Sequence, residues 1–153
     1  MKRLTPELIH FFQNQGFVIV STIGKNGLPH NSCKGIARVE VNGRIYLIDL
    51  YKAVTYRNLK RNPKISITAV DEHKFRGYCL KGTANIVCAK NLDEEVKKIW
   101  EEKIAARAAN RLVRNIREEK GHPDHPEARL PKPEYMFVAN IEEVVDLTPG
   151  DLR

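Results

Sequence analysis

Two short stretches carry side chains suited to holding an anion. The first runs Asp49-Leu-Tyr-Lys-Ala-Val-Thr-Tyr-Arg-Asn-Leu-Lys-Arg61 and gathers Lys52, Thr55, Arg57, Lys60 and Arg61 where a strand passes into a short helix. A helix start offers free N–H groups and a partial positive charge. Thr55 adds a hydroxyl there, and Arg57 a guanidinium able to grip a phosphate through two parallel hydrogen bonds. The plain alternative is a solvated basic face with Thr55 as an ordinary cap. The second stretch is Pro29-His-Asn-Ser-Cys-Lys-Gly35. Asn31 and Ser32 are short polar groups and Lys34 is a cation, spaced as on a strand. Such groups meet a phosphate or the polar edge of a flat ring. Otherwise they are the outward side of a half-exposed strand.

Other chemistries find less support. The sequence has no Gly-x4-Gly-Lys-Ser/Thr loop, no Gly-x-Gly-x-x-Gly and no Gly-x-Ser-x-Gly, so the common nucleotide folds and the hydrolase elbow are not expected. His122 and His125 flank Asp124 in a proline-rich loop, but zinc wants four placed ligands and no cysteine lies nearby in sequence. No metal site is expected. Cys33, Cys79 and Cys88 are odd in number and form no Cys-x-x-Cys pair. They read as small buried or strand residues rather than a disulfide framework.

The elements that must position these groups follow from pattern. Thr5-Pro6-Glu7 opens a helix carrying Leu8, Ile9, Phe11 and Phe12, with Gly16 as its stop. Phe17–Ile23 is a β-branched strand and Gly24–Gly27 a turn. A long second strand runs from about Pro29 to Val41, with Gly35 marking a bulge or a close approach of the backbone to a ligand. Asn42-Gly43 turns into a third strand, Arg44–Asp49. A short helix covers about Ala53–Arg61 and ends at Asn62-Pro63. Strands follow at Lys64–Val70 and about Arg76–Val87. Leu92, Val96, Ile99, Trp100, Ile104, Ala108, Leu112 and Ile116 then recur at helical spacing, as one long helix or two in succession. After a loop reaching Pro133, Tyr135–Ile141 and Val144–Leu147 read as strand. Hairpin connections make the sheet antiparallel, and about six such strands in one domain close into a small barrel. The expected fold is mainly β: a barrel of six or so strands with peripheral helices.

Composition narrows the class. The chain has 153 residues, 42% hydrophobic and 29% charged, with a formal net charge of +7. These figures describe one globular domain, residues 1–153, and exclude wholesale disorder. No apolar run reaches the ~20 residues of a membrane span, and no signal peptide is visible, so a cytoplasmic address is expected. Residues 1–89 hold 14 basic and 5 acidic side chains, whereas residues 90–153 hold 12 and 14. The basic half points to an anionic partner: a phosphate-bearing cofactor, an acidic metabolite or nucleic acid. The late helix interleaves Lys97, Lys98, Lys103, Arg107, Arg111, Arg114 and Arg117 with Glu94, Glu95, Glu101, Glu102, Glu118 and Glu119. That spacing favours an ion-paired, solvated face over a nucleic-acid helix. Arg107, Arg111 and Arg114 form its one stretch without acids, placed to face a ligand or a partner subunit.

An ordered set of segments resembles a known family. Gly16-Phe-Val-Ile-Val-Ser-Thr22, Asn26-Gly-Leu-Pro-His30, Gly43-Arg-Ile-Tyr46, Tyr56-Arg-Asn-Leu-Lys-Arg-Asn-Pro-Lys-Ile-Ser66 and Leu80-Lys-Gly-Thr-Ala84 are similar to the flavin-binding split barrels related to pyridoxamine 5′-phosphate oxidase. The likeness covers about residues 5–88 and recurs weakly in the last strand. It implies a split barrel, with a helical insertion at about 91–120, and a homodimer holding FMN at its interface. It places the cofactor against Asn31, Ser32, Cys33 and Lys34 of the second strand. Ile48 and Asp49 follow at the end of the third, with Lys52, Val54, Thr55 and Arg57 around the short helix. Where the family often carries Ser followed by Arg-Lys or Lys-Thr, this chain has Ala53-Val54-Thr55 and keeps only the hydroxyl.

The resemblance implies an FMN-dependent oxidoreductase or flavin reductase, with NAD(P)H a candidate electron donor and no catalytic side chain named. The C-terminal Arg-Leu-Ala/Ser-Pro-like ending of the true oxidases is replaced by Asp146-Leu-Thr-Pro-Gly-Asp-Leu-Arg153, so pyridoxamine phosphate is not the expected substrate. A flavin-binding electron carrier or sensor without turnover is the alternative, and a basic nucleic-acid module the third reading. Haem and deazaflavin stay open beside FMN, because a barrel alone does not fix its ligand. An open cavity beside the ring is expected for turnover, and a ring covered by the late helix for a carrier.

Overall fold

The computed structural model describes residues 1–117 and 134–152. The loop holding His122, Asp124 and His125 therefore lies outside the described residues, as do Glu118 and Glu119. The elements run α1 Pro6–Gln13, β1 Val18–Ile23, β2 Pro29–Val39, β3 Arg44–Ile48, α2 Val54–Arg61, β4 Lys64–Asp71, β5 Arg76–Cys88, α3 Glu94–Ile116 and β6 Tyr135–Asp146. Six antiparallel strands close into a barrel in the order β1-β2-β3-β6-β5-β4, with β4 returning to β1. Among the described residues, no helix is long and apolar enough to cross a membrane.

Local chemistry explains the element ends. The Thr5 hydroxyl caps α1 by accepting from the Leu8 N–H at 3.3 Å, with Pro6 in the first turn. The β2–β3 turn begins earlier than Val41: the Gly43 N–H bonds the Glu40 carbonyl at 3.0 Å, and Gly43 has φ +89°. β2 consequently stops at Val39. Its register against β3 shifts between Ile36 and Arg38, just after Gly35. The last two sequence strands are one, running through Glu142 and Glu143. A register shift at Lys81/Gly82 accommodates the extra residue, and a Cβ on Gly82 would come to 2.0 Å from the Asn140 carbonyl oxygen. Only glycine lets the strands approach that closely.

Alternation on the strands builds two cores. Ile45, Leu47, Phe137, Ala139 and Ile141 face the barrel interior with Val18, Val20, Ile67 and Leu80. Tyr46, Ile48, Met136 and Val138 face outward, and the stripe Val96, Trp100 and Ile104 of α3 covers them. This double burial is why β3 and the start of β6 are apolar on both faces. The long helix is single, and its first half lies on β2, β3 and β6. Arg38 of β2 pairs with Glu95 at 2.6 Å, and Lys97 with Glu94 at 2.6 Å. α2 is tied to β1 by Asn58, whose buried amide donates to Thr22 Oγ1 at 3.0 Å. Arg61 adds bonds to the Ile23 carbonyl at 3.0 Å and to Asn58 Oδ1 at 3.1 Å.

Candidate functional site

The middle of β2 meets the end of β3 and the start of β6 beside α2. Gly35 pairs with Ile48, and Ile48 with Met136. One residue further on each strand come Lys34, Asp49 and Tyr135, all turned to the same side of the sheet. The Asp49 carboxylate is buried and takes both neighbours. Lys34 Nζ lies 2.5 Å from Oδ1, and the Tyr135 hydroxyl donates to Oδ2. A buried carboxylate requires such partners. Burial pushes the Tyr135 phenol far above its ordinary value of 10.0, and the hydrogen bond and charge of Asp49 act in the same direction. The Tyr135 ring packs edge-on against Tyr56 of α2, with centroids 5.1 Å apart.

A cavity of about 400 Å³ opens beside this row, within the range of small-molecule sites. Among the described residues, its walls are Gly16 and Phe17, Cys33, Lys34 and Gly35 of β2, Ile48 at the end of β3, Asp49, Leu50 and Tyr51 after it, and Arg107 from α3. A second cavity, of about 570 Å³, shares Asp49, Leu50 and Tyr51 and adds Lys52, Ala53, Glu134 and Tyr135. On the α2 side, Ser32 Oγ and Thr55 Oγ1 are 2.9 Å apart. α2 starts at Val54 with neither a side-chain cap nor an acidic residue in its first turn. Its positive end and two hydroxyls form a donor set of the kind that phosphate takes.

Against this geometry, a family model described as pyridoxamine 5′-phosphate oxidase matches residues 4–145. The chain belongs to the pyridoxamine 5′-phosphate oxidase family. Its barrel is similar to that of HupZ from Group A Streptococcus, with 22% identity, 96% of each chain covered and a TM-score of 0.69. A putative pyridoxamine 5′-phosphate oxidase from Lactobacillus delbrueckii gives 23% identity, 94% of this chain and 93% of that one, and a TM-score of 0.62. A structure described as an F420 reductase gives 16%, 89%, 94% and 0.57. At these identities the likeness is one of fold. No curated protein matches the chain.

Within this pyridoxamine 5′-phosphate oxidase-family barrel, the residues singled out from sequence fall into three groups. Cys33, Lys34, Ile48 and Asp49 line the first cavity together. Ser32 and Thr55 meet beside α2. Lys52 lines the second cavity, pairs with Glu134 at 2.8 Å and sits 5.8 Å above the Tyr135 ring. The hydrogen bond and charge of that pair raise the Lys52 pKa and lower that of Glu134. Asn31, Val54 and Arg57 are exposed and line neither cavity. Asn31 accepts a bond from Ser21 Oγ at 2.6 Å on the outward face of β1–β2. Cys33 and Cys88 are exposed rather than buried, and all three cysteines are free. Among the described residues, no group of three or more His, Cys, Asp or Glu is placed to hold a metal.

Three contributors were not singled out as cofactor residues: Tyr135, the Gly16–Phe17 edge and the Leu50–Tyr51 turn. Tyr135 lies 86 positions from Asp49 in sequence. Its one early signal was an aromatic hydroxyl opening an otherwise apolar strand.

Proposed function

We propose that this protein binds FMN and acts as an oxidoreductase, working as a homodimer with the flavin between its subunits. The observation carrying the reading is the first cavity, set beside the Ser32–Thr55 hydroxyl pair and the uncapped start of α2. The residues present suit the cofactor. Thr55, Ser32 and the first N–H groups of α2 would hold its phosphate. Cys33, Lys34, Ile48 and Asp49 would line its flat ring. FMN when bound supplies the electron-carrying chemistry, and the protein supplies position, charge and exclusion of water. Membership of the family supports the flavin class.

Two further observations support the finer points. Among the described residues, α3 reaches the cavity wall through Arg107 alone, and the rest of the rim belongs to β2, the Gly16–Phe17 edge, the end of β3 and the turn after it. The described residues thus leave one side of the cavity open, as turnover with a donor such as NADH or NADPH requires. Phe17 is 61% and Ile19 44% exposed beside the same cavity, and Ile19 pairs with Cys33. A second copy covers this apolar edge and completes the flavin's enclosure.

The test is the visible absorbance spectrum of the purified protein, with added FMN, followed by NADH or NADPH under anaerobic conditions. Flavin bands that bleach on adding the nucleotide are expected. A colourless protein that takes up no added FMN overturns the reading. A bound flavin that neither nucleotide reduces leaves a carrier instead of an oxidoreductase.

A further inference from the structure

α3 changes character part-way along. Its first half holds its charges in pairs: Glu95 with Arg38 at 2.6 Å, Lys97 with Glu94 at 2.6 Å and Lys98 with Glu102 at 4.0 Å. The stripe that buries it ends at Ile104. Lys103 and Arg107 then reach back to the sheet. Lys103 Nζ donates to the Ile36 carbonyl at 2.8 Å, and Arg107 Nη2 to the Gly16 carbonyl at 2.6 Å. The Arg107 guanidinium also rests over Gly35, where a Cβ would come to 3.0 Å from Nη1. The close approach inferred from sequence at Gly35 is therefore to an arginine of this chain. Past these two ties the helix runs on to Ile116.

This second half is amphipathic in its own right. Residues 103–117 hold five basic side chains and no acidic one. Ala105, Ala106, Ala109, Leu112, Val113 and Ile116 are all exposed. At about 3.6 residues per turn they share one arc, roughly a third of the helix circumference. Its largest members are the most open to water, Leu112 at 62% and Ile116 at 74%. Arg117 and then Arg114 follow this arc round the helix. Both are exposed, and among the described residues neither makes an ion pair.

An apolar arc beside unpaired guanidinium groups fits a partner that is apolar and anionic along one boundary. We propose that the second half of α3 docks on an anionic lipid surface. The helix lies flat there, with Leu112, Val113 and Ile116 at the edge of the acyl chains and Arg114 and Arg117 among the lipid phosphates. Charge complementarity favours this occupant over the others. A second copy meeting the same surface across a twofold axis sets like charges against one another. A nucleic acid uses the arginines and leaves the apolar arc in water. The membrane contact is peripheral and leaves the barrel and its cavity outside the bilayer.

The test is co-sedimentation of the whole protein with vesicles. One set is equal parts phosphatidylcholine and phosphatidylglycerol, the other phosphatidylcholine alone. The wild type is expected to pellet with the mixed vesicles only, and to be released as sodium chloride is raised. Arg114→Gln and Arg117→Gln each weaken the partition about fivefold, and Ile116→Gln weakens it about tenfold. Lys25→Gln, in the β1–β2 turn, removes the same charge away from α3 and leaves the partition unchanged. All four side chains are exposed, so the thermal midpoint stays near wild type. A wild type that ignores the mixed vesicles, or pellets equally with phosphatidylcholine alone, overturns the proposal. So does a loss in Lys25→Gln equal to that in Arg114→Gln, which assigns the attraction to net charge. A halved sedimentation mass in Ile116→Gln gives the arc to a second copy. Duplex DNA that binds through Arg114 and is indifferent to Ile116→Gln, with no vesicle binding, gives it to nucleic acid. Either result overturns the lipid assignment.

Discussion

Asp49→Asn keeps the side chain's shape but leaves Lys34, whose side chain is only 12% exposed, without its counter-charge. Breaking a buried pair by removing one partner costs about 3–5 kcal/mol, and urea unfolding at neutral pH is expected to show a loss of that size. Tyr135→Phe removes one hydrogen bond to the same carboxylate and should cost about 1.5–3 kcal/mol. The pH dependence separates the two. The phenol's pKa is raised in the folded protein, so its contribution to stability is complete below the unfolded value, about pH 10, and declines as pH rises through the folded one. The wild-type urea midpoint should therefore fall more steeply than that of Tyr135→Phe on the alkaline side of about pH 10. These groups were only partly legible in the sequence. Lys34 was readable as a candidate ligand by type and place, and Asp49 only through the family resemblance. That they neutralise one another depends on strand register, and a one-residue slip would put them on opposite faces.

At the scale of elements, α2 is the piece whose start the proposed phosphate site depends on. Thr55→Val preserves volume while deleting the hydroxyl that meets Ser32. FMN affinity is expected to drop about tenfold, measured by quenching of flavin fluorescence, with thermal stability nearly unchanged because Ser32 regains water. Most elements were legible because their signals are local. Thr5-Pro6 starts α1, Asn42-Gly43 turns β2 into β3, and Asn62-Pro63 ends α2. Two readings depended on distant contacts. β6 looks interrupted at Glu142-Glu143, but the shift opposite Gly82 carries it through. The end of α3 looked ready to face a ligand or a partner, and only Arg107 reaches the cavity wall, by way of Gly16 and Gly35.

For the whole molecule, the exposed edge formed by Phe17 and Ile19 gives the assembly its test. Ile19→Glu sets a charge on that edge without touching the barrel interior. Sedimentation is expected to show the dimer's mass in the wild type and the monomer's in the variant, with the monomer also losing FMN. An unchanged mass places the subunit contact elsewhere.

The position of β6 in the barrel has a kinetic consequence. β6 is last in sequence among the six strands, and it lies between β3 and β5. Until it arrives, the order is an open sheet of five strands, β3-β2-β1-β4-β5, with two bare edges. Open edges recruit strands from other chains, and a ring closed by its most distant segment folds slowly because the loop must be ordered before it is rewarded. Tyr135, at the start of that closing strand, completes the shell around Asp49. Folding intermediates of this protein are therefore expected to aggregate through β3 and β5, and the ligand site matures in the same late event that removes those edges.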